Sequence, residues 1–189
     1  LLIYDEVQTG VGLTGKFWAH EHFVQPDIIA FGKKAQVCGI LAGRRLDEVE
    51  TNCFKVSSRI NSTWGGNLVD MVRFQRILEV IEQDKLVENA AHLGTHLLTG
   101  LETLCNKHTH FSNPRGKGLM CAIDLPNTHA RNSVVTECMN QGLMILGCGD
   151  KTIRFRPALT VSKTEIDQAL TILSSAYSSA LDRCPVATD

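Results

Sequence analysis

The 189-residue sequence predicts a mixed α/β fold: a partial, mostly parallel sheet, a long linking helix, then a small α+β unit. Three observations carry this expectation. Leu1–Tyr4, Ile28–Phe31 and Gly39–Gly43 are short apolar runs without alternation, which suits strands covered on both faces. From Leu68 onward the apolar spacing becomes helical. Beyond Leu119, strand-like and helix-like stretches alternate in short units.

Taken in order, the first run ends in the acidic pair Asp5-Glu6, and the glycines of Thr9–Gly15 then demand a loop. Pro26-Asp27 opens the second run, which Gly32 and Lys33-Lys34 close. Apolar positions 68, 69, 71, 72, 74, 77, 78, 80 and 81 predict a helix of about twenty residues. A second helix is expected over Val87–Cys105, with Leu93, Leu97, Leu98, Leu101 and Leu104 on one face. The hydrophilic stretch Asn106–Gly118 reads as a loop. Then come a strand (Leu119–Leu125), a helix (about Ala130–Gln141), a strand (Leu143–Leu146), a turn (Gly147–Asp150) and a strand (Thr152–Phe155). Ser162-Lys163-Thr164-Glu165 fits a capping box, in which hydroxyl and carboxylate each satisfy a free amide of the last helix's first turn. The tail after Ala180 is expected to fray. The predicted division is residues 1–75 and 76–189.

Lys and Arg number 19 against 20 Asp and Glu, a net charge of −1 that gives no bulk attraction to nucleic acid or anionic membrane. No apolar run reaches the length of a membrane span, and Leu1–Asp5 lacks the basic start of a signal peptide. Seven cysteines, an odd number without Cys-x-x-Cys, read as buried free thiols of a reducing compartment. His20-Glu21-His22 is the one tight histidine cluster; without a third ligand nearby it reads as a polar turn, and no metal is expected.

Open α/β sheets collect their chemistry at the carboxyl ends of strands. Asp5 follows the first predicted strand and Lys33 the second, so an acid and an amine are placed to meet in one crevice. The plain alternative is a turn-forming aspartate and a solvated lysine pair. The motifs decide between them. Asp5-Glu6-Val7-Gln8-Thr9-Gly10, Gly15, Trp18, Pro26-Asp27-Ile28, Phe31-Gly32-Lys33-Lys34, Asn61-Ser62-Thr63-Trp64 and Arg154-Phe155-Arg156-Pro157 strongly resemble the fold-type I, class III aminotransferases that use pyridoxal 5'-phosphate.

The resemblance implies the following roles. Asp5 pairs with the pyridine nitrogen and keeps it protonated, since a negative neighbour favours the cation. Lys33 forms the Schiff base and, once released, moves the substrate proton; Lys34 is its nearest competitor. Val7 packs on a ring face, although a plain core valine would be buried alike. Gln8 bonds the ring hydroxyl. Thr63 reaches the cofactor phosphate of the other subunit of a homodimer, unless it or Asn67 merely caps the following helix; Asn61 assists. Arg154 clamps the α-carboxylate of 2-oxoglutarate or glutamate as a planar guanidinium can. Arg156 projects to the same face by strand alternation, and Arg115 is structural.

Within the family, Lys34–Gly39, Ser58–Asn67 and Asp70–Arg73 look most like L-lysine 6-aminotransferases, whereas Gly15–His22 and Gly147–Lys151 look equally like 4-aminobutyrate aminotransferases. The former reading is favoured because it rests on the segments around Lys33 and Thr63. Either way an ω-amino acid gives its terminal amino group to 2-oxoglutarate. The resemblance implies a cytoplasmic enzyme, or a mitochondrial one if the donor is 4-aminobutyrate in a eukaryote. Family members are about twice as long, so the chain reads as the carboxyl-terminal part of such a transferase, lacking the phosphate loop and ring-stacking aromatic. A catalytically inactive truncated chain acting through its dimer-forming surface is the remaining alternative.

Overall fold

Strands β1 (Ile3–Asp5) and β2 (Ile28–Phe31) run parallel, and β3 (Gly39–Ala42) pairs antiparallel with β2 in the order β1-β2-β3. The computed structural model describes residues 1–60 and 62–183. The expected mostly parallel sheet is therefore mixed. The reason is connection length: residues 6–27 are ample for a crossover, whereas residues 32–38 allow only a reversal. Nor are these strands covered on both faces by described residues, since Ile3 and Leu41 are exposed.

Helix α1 (Leu68–Gln83) begins at Asn67, whose Oδ1 accepts from the Val69 amide at 3.0 Å. Phe74 stacks on Phe31 with ring centres 6.1 Å apart, and Arg73 donates to the Gln36 carbonyl at 3.0 Å. These contacts bind α1 to the first sheet. The chain accordingly divides into units Leu1–Val87 and Glu88–Asp189, later than the residue-75 boundary expected.

The second unit is built on α2 (Leu86–Lys107), whose Leu93, Leu97, Leu101 and Leu104 are all buried. Each such side chain contributes about 1.5–3 kcal/mol. Strands β4 (Ser112–Lys117), β5 (Met120–Asp124), β6 (Leu146–Cys148) and β7 (Thr152–Phe155) form an antiparallel sheet in the order β4-β5-β7-β6. Helix α3 (Thr128–Asn140) packs on α4 (Lys163–Arg183) and on β6 and β7. Ile123, Ile153, Leu125 and Leu173 are fully enclosed in this core.

Two elements correct the sequence reading. Asn106–Gly118 is not all loop, because Ser112–Lys117 forms the edge strand β4; a register shift between Ser112 and Arg115 accommodates Pro114, which has no amide to donate. The strand expected at Leu143–Leu146 lies later, at Leu146–Cys148, because the three-residue turn Gly149–Lys151, with Gly149 at φ 53°, pairs Cys148 with Thr152. The capping box forms with both arms: Ser162 N donates to Glu165 Oε2 at 2.7 Å, and Glu165 N to Ser162 Oγ at 3.3 Å. Helix α4 continues past Ala180 to Arg183, and the remainder of the tail lies outside the described residues.

The thiols also differ from expectation. Cys121 and Cys138 are buried, and burial pushes each up to about 12, but Cys38 and Cys148 are exposed. Arg115 is structural, as expected: its Nη1 lies 2.9 Å from Oδ1 of buried Asp124. Burial raises the Asp124 carboxyl, but hydrogen bonds from Thr152, Asn113 and Arg115 outweigh it and hold its pKa below the ordinary 3.8. A depressed folded-state pKa gives stability that is present above 3.8 and lost as pH falls through the lowered value. Asp124→Asn is expected to cost about 1–3 kcal/mol at neutral pH and to flatten this acid limb in denaturant titrations from pH 7 to 2.

Candidate functional site

Asp5 lies at the carboxyl end of β1 opposite Ala30, and Lys33 lies just beyond the carboxyl end of β2. Because these strands are parallel neighbours, both residues come to the same edge of the sheet. Asp5 is exposed, and its Oδ1 accepts from the Val7 amide at 3.0 Å, which turns the chain sharply out of the strand.

A residue that sequence reasoning passed over fixes this turn. Glu6 is only 2 % exposed. Its carboxylate accepts from the amides of Ala19 and His20 at 2.8 and 2.7 Å and from Thr9 Oγ1 at 3.0 Å, with His20 Nδ1 at 3.3 Å. Its own amide donates to the Ala30 carbonyl at 2.8 Å. The signal was an acid inside a glycine-rich loop beside two histidines, but only the fold shows that the acid points inward. His22 Nε2 lies 3.0 Å from the Thr14 carbonyl, so His20-Glu21-His22 serves to close the loop. Gly10 is required by close approach, since a Cβ there would meet the Trp18 ring at 2.6 Å.

Lys33 opens a short 3-10 turn, Lys33–Ala35, and holds φ 51°. The left-handed region costs a non-glycine residue about 1–2 kcal/mol, and such strain gathers at functional positions. The Lys33 side chain is exposed, and its amine has no partner among the described residues. Lys34 is engaged elsewhere, donating to the Gln8 carbonyl at 2.7 Å. Half-buried Val7 packs beside Gly32, where a Cβ would lie 3.6 Å from Val7 Cγ1 and 3.1 Å from Cys38 Sγ. Asp5, Val7, Gln8 and Lys33 thus share one edge of the first unit.

Thr63 is exposed in the turn preceding α1, and its hydroxyl has no partner among the described residues. The helix cap belongs to Asn67. Asn61 lies outside the described residues.

Arg154 belongs to the second unit. It sits on β7 between Leu146 of β6 and Ala122 of β5, while its neighbours Ile153 and Phe155 are buried on the other face. It lines a cavity of about 480 Å³ shared with Leu97, Met144, Leu146, Arg156 and Ile166. Arg156 follows the end of β7, and both arginines line this cavity. An arginine pair over an apolar wall can hold a carboxylate bidentately while covering an aliphatic chain.

Among the described residues no cluster of histidine, cysteine, aspartate or glutamate could hold a metal ion. The first unit offers groups that an organic cofactor could use: an exposed carboxylate at Asp5, a strained lysine with an amine unengaged among the described residues, and the half-buried Val7 beside Gly32.

The chain is 53% identical over 178 residues to an L-lysine-epsilon aminotransferase of Mycobacterium tuberculosis, covering 93% of this chain and 40% of that protein. It is 40% identical over 161 residues to the mitochondrial 4-aminobutyrate aminotransferase of Homo sapiens, covering 83% and 31% respectively. The fold superposes on the M. tuberculosis lysine aminotransferase in the internal aldimine form with a TM-score of 0.91, at 52% identity, over 95% of this chain and 42% of that one. The chain therefore spans about two fifths of the length of the lysine aminotransferases it matches. Residues 1–177 match the family described as aminotransferase class III, and to that family this chain belongs.

Proposed function

We propose that this chain carries the lysine-bearing and carboxylate-binding parts of a pyridoxal-phosphate-dependent transaminase that moves the terminal amino group of L-lysine to 2-oxoglutarate. The observation that carries the reading is Lys33: a lysine held at φ 51° at the carboxyl end of a parallel strand pair, one strand from an exposed aspartate. Bound pyridoxal phosphate supplies the electron sink that carbanion chemistry needs. Asp5 holds the proton on its ring nitrogen, Val7 bears on the ring, and Gln8 bonds the ring hydroxyl. Lys33 anchors the cofactor and carries the proton to and from the substrate carbon. Thr63 serves the phosphate end, Arg154 orients the substrate carboxylate, and Asn61 assists in substrate binding.

The 4-aminobutyrate relative is the more distant of the two, at 40% identity against 53%, which supports lysine as the donor. Leu68, Val69, Met71 and Val72 on the first turns of α1, with Trp64 just before them, are all exposed. This apolar surface supports a homodimer in which Thr63 faces the partner's cofactor. No helix among the described residues is long and apolar enough to cross a membrane, and the place of action proposed is the cytoplasm.

Incubating the full-length natural protein with 2-oxoglutarate and either L-lysine or 4-aminobutyrate, and measuring glutamate, tests the proposal. Lysine is expected to be preferred by about tenfold or more in kcat/KM. Glutamate from 4-aminobutyrate but not from lysine overturns the choice of donor. Glutamate from neither donor overturns the activity.

A further inference from the structure

We infer that Lys34 is a positioning residue of the cofactor site, acting together with Arg73 to hold Lys33 in its strained backbone conformation; the inference rests on the transaminase reading of Lys33. Lys33 is the first residue of a single 3-10 turn and adopts φ 51°, and Gln36 closes the turn at φ 55°. Two left-handed residues three positions apart do not persist in so short a segment unless their surroundings over-determine them. The surroundings do so at each following residue.

Half-buried Lys34 reaches across to the Gln8 carbonyl at 2.7 Å. Ala35 is completely enclosed, and its amide donates to the Gly32 carbonyl at 3.2 Å. The Gln36 carbonyl accepts from Arg73 Nη2 at 3.0 Å, and that same nitrogen lies 2.7 Å from Asp70 Oδ1. One cation thus ties the turn to the loop that carries Val7 and Gln8, and another ties it to α1. Both bonds run from a charged donor to a main-chain carbonyl, a strong class of hydrogen bond that fixes backbone rather than side chain.

The consequence is geometric. The Lys34 bond sets the distance between the Gln8 main chain and the turn bearing Lys33. Two of the groups that would meet the cofactor ring are thereby held in register by a residue whose amine is bonded to main chain. Lys34→Met retains the aliphatic stem and loses the donor; Lys34→Arg retains a donor and the charge.

The test uses the full-length natural protein, freed of cofactor and titrated with pyridoxal phosphate. It is read by visible absorbance, by circular dichroism of the cofactor band, and by the thermal midpoint of the cofactor-free form. Lys34→Met is expected to weaken cofactor binding about tenfold to a hundredfold and to reduce the dichroic band at saturation, with the cofactor-free midpoint little changed. Lys34→Arg is expected to recover most of both signals, and Arg73→Met to reduce them in the same sense as Lys34→Met. Unaltered binding and dichroism in Lys34→Met overturn the inference. So does a cofactor-free midpoint that falls enough to account for the loss, because Lys34 then serves folding alone. Absence of any visible band from the unsubstituted protein overturns the transaminase reading along with it.

Discussion

Replacement of Lys33 by alanine is expected to abolish covalent capture of pyridoxal phosphate: the visible band disappears, and borohydride treatment no longer fixes the cofactor to the peptide containing residues 33 and 34. Turnover is expected to fall by roughly 10^4-fold, since both the anchoring amine and the proton carrier are lost. Lys34 does not replace it. Its amine is engaged by the Gln8 carbonyl, 2.7 Å away. Peptide mass analysis after reduction checks this directly, and a label on Lys34 in the unsubstituted protein overturns the assignment. The substitution is also expected to leave the fold intact, because the Lys33 side chain is exposed.

Gly94→Ala is expected to have the largest effect on stability. Gly94 is buried on α2, where a Cβ would lie 2.1 Å from the carbonyl carbon of Gly118 and 2.2 Å from its oxygen. Alanine is worth about 1 kcal/mol more than glycine in a helix interior, which argues the opposite sign. The clash wins because its partner is backbone. Gly118 belongs to the tight connection between β4 and β5, with φ 53°, and it cannot swing aside as a side chain can. A loss of about 2–3 kcal/mol or more is expected in urea unfolding. His92→Ala, exposed on the same helix, is expected to stay within about 0.5 kcal/mol and serves as the control.

Much of this protein was legible in its residues, and the illegible part has physical causes. The helix beginning after Asn67, the leucine stripe of α2 and the capping box at Ser162 follow from spacing and local hydrogen bonding, and all three form. Strand β4 escaped because Asn113, Pro114 and Gly116 look like a loop when strand propensity is judged one residue at a time; pairing with β5 overrides that preference. The direction of β3 was equally hidden, since an apolar run does not state which way it runs. Motif order places Asp5 and Lys33 at neighbouring strand ends, where the fold has them. The role of Glu6 was not legible, because an acid beside a strand end reads as solvated until the amides of Ala19 and His20 are seen to surround it.

The residues alone determined the α/β character, the helical periods, and the placement of an acid and a lysine at successive strand ends. These depend on local spacing and chain direction, which a linear string contains. The tertiary structure alone decided which lysine is left with an unengaged amine, where the buried carboxylate points, and that Lys33 stands in the left-handed region. Those properties depend on groups far apart in the chain: Gln8 and Lys34 are 26 residues apart, and Gln36 and Arg73 are 37. Such contacts exist only after the strands have paired and α1 has packed against them.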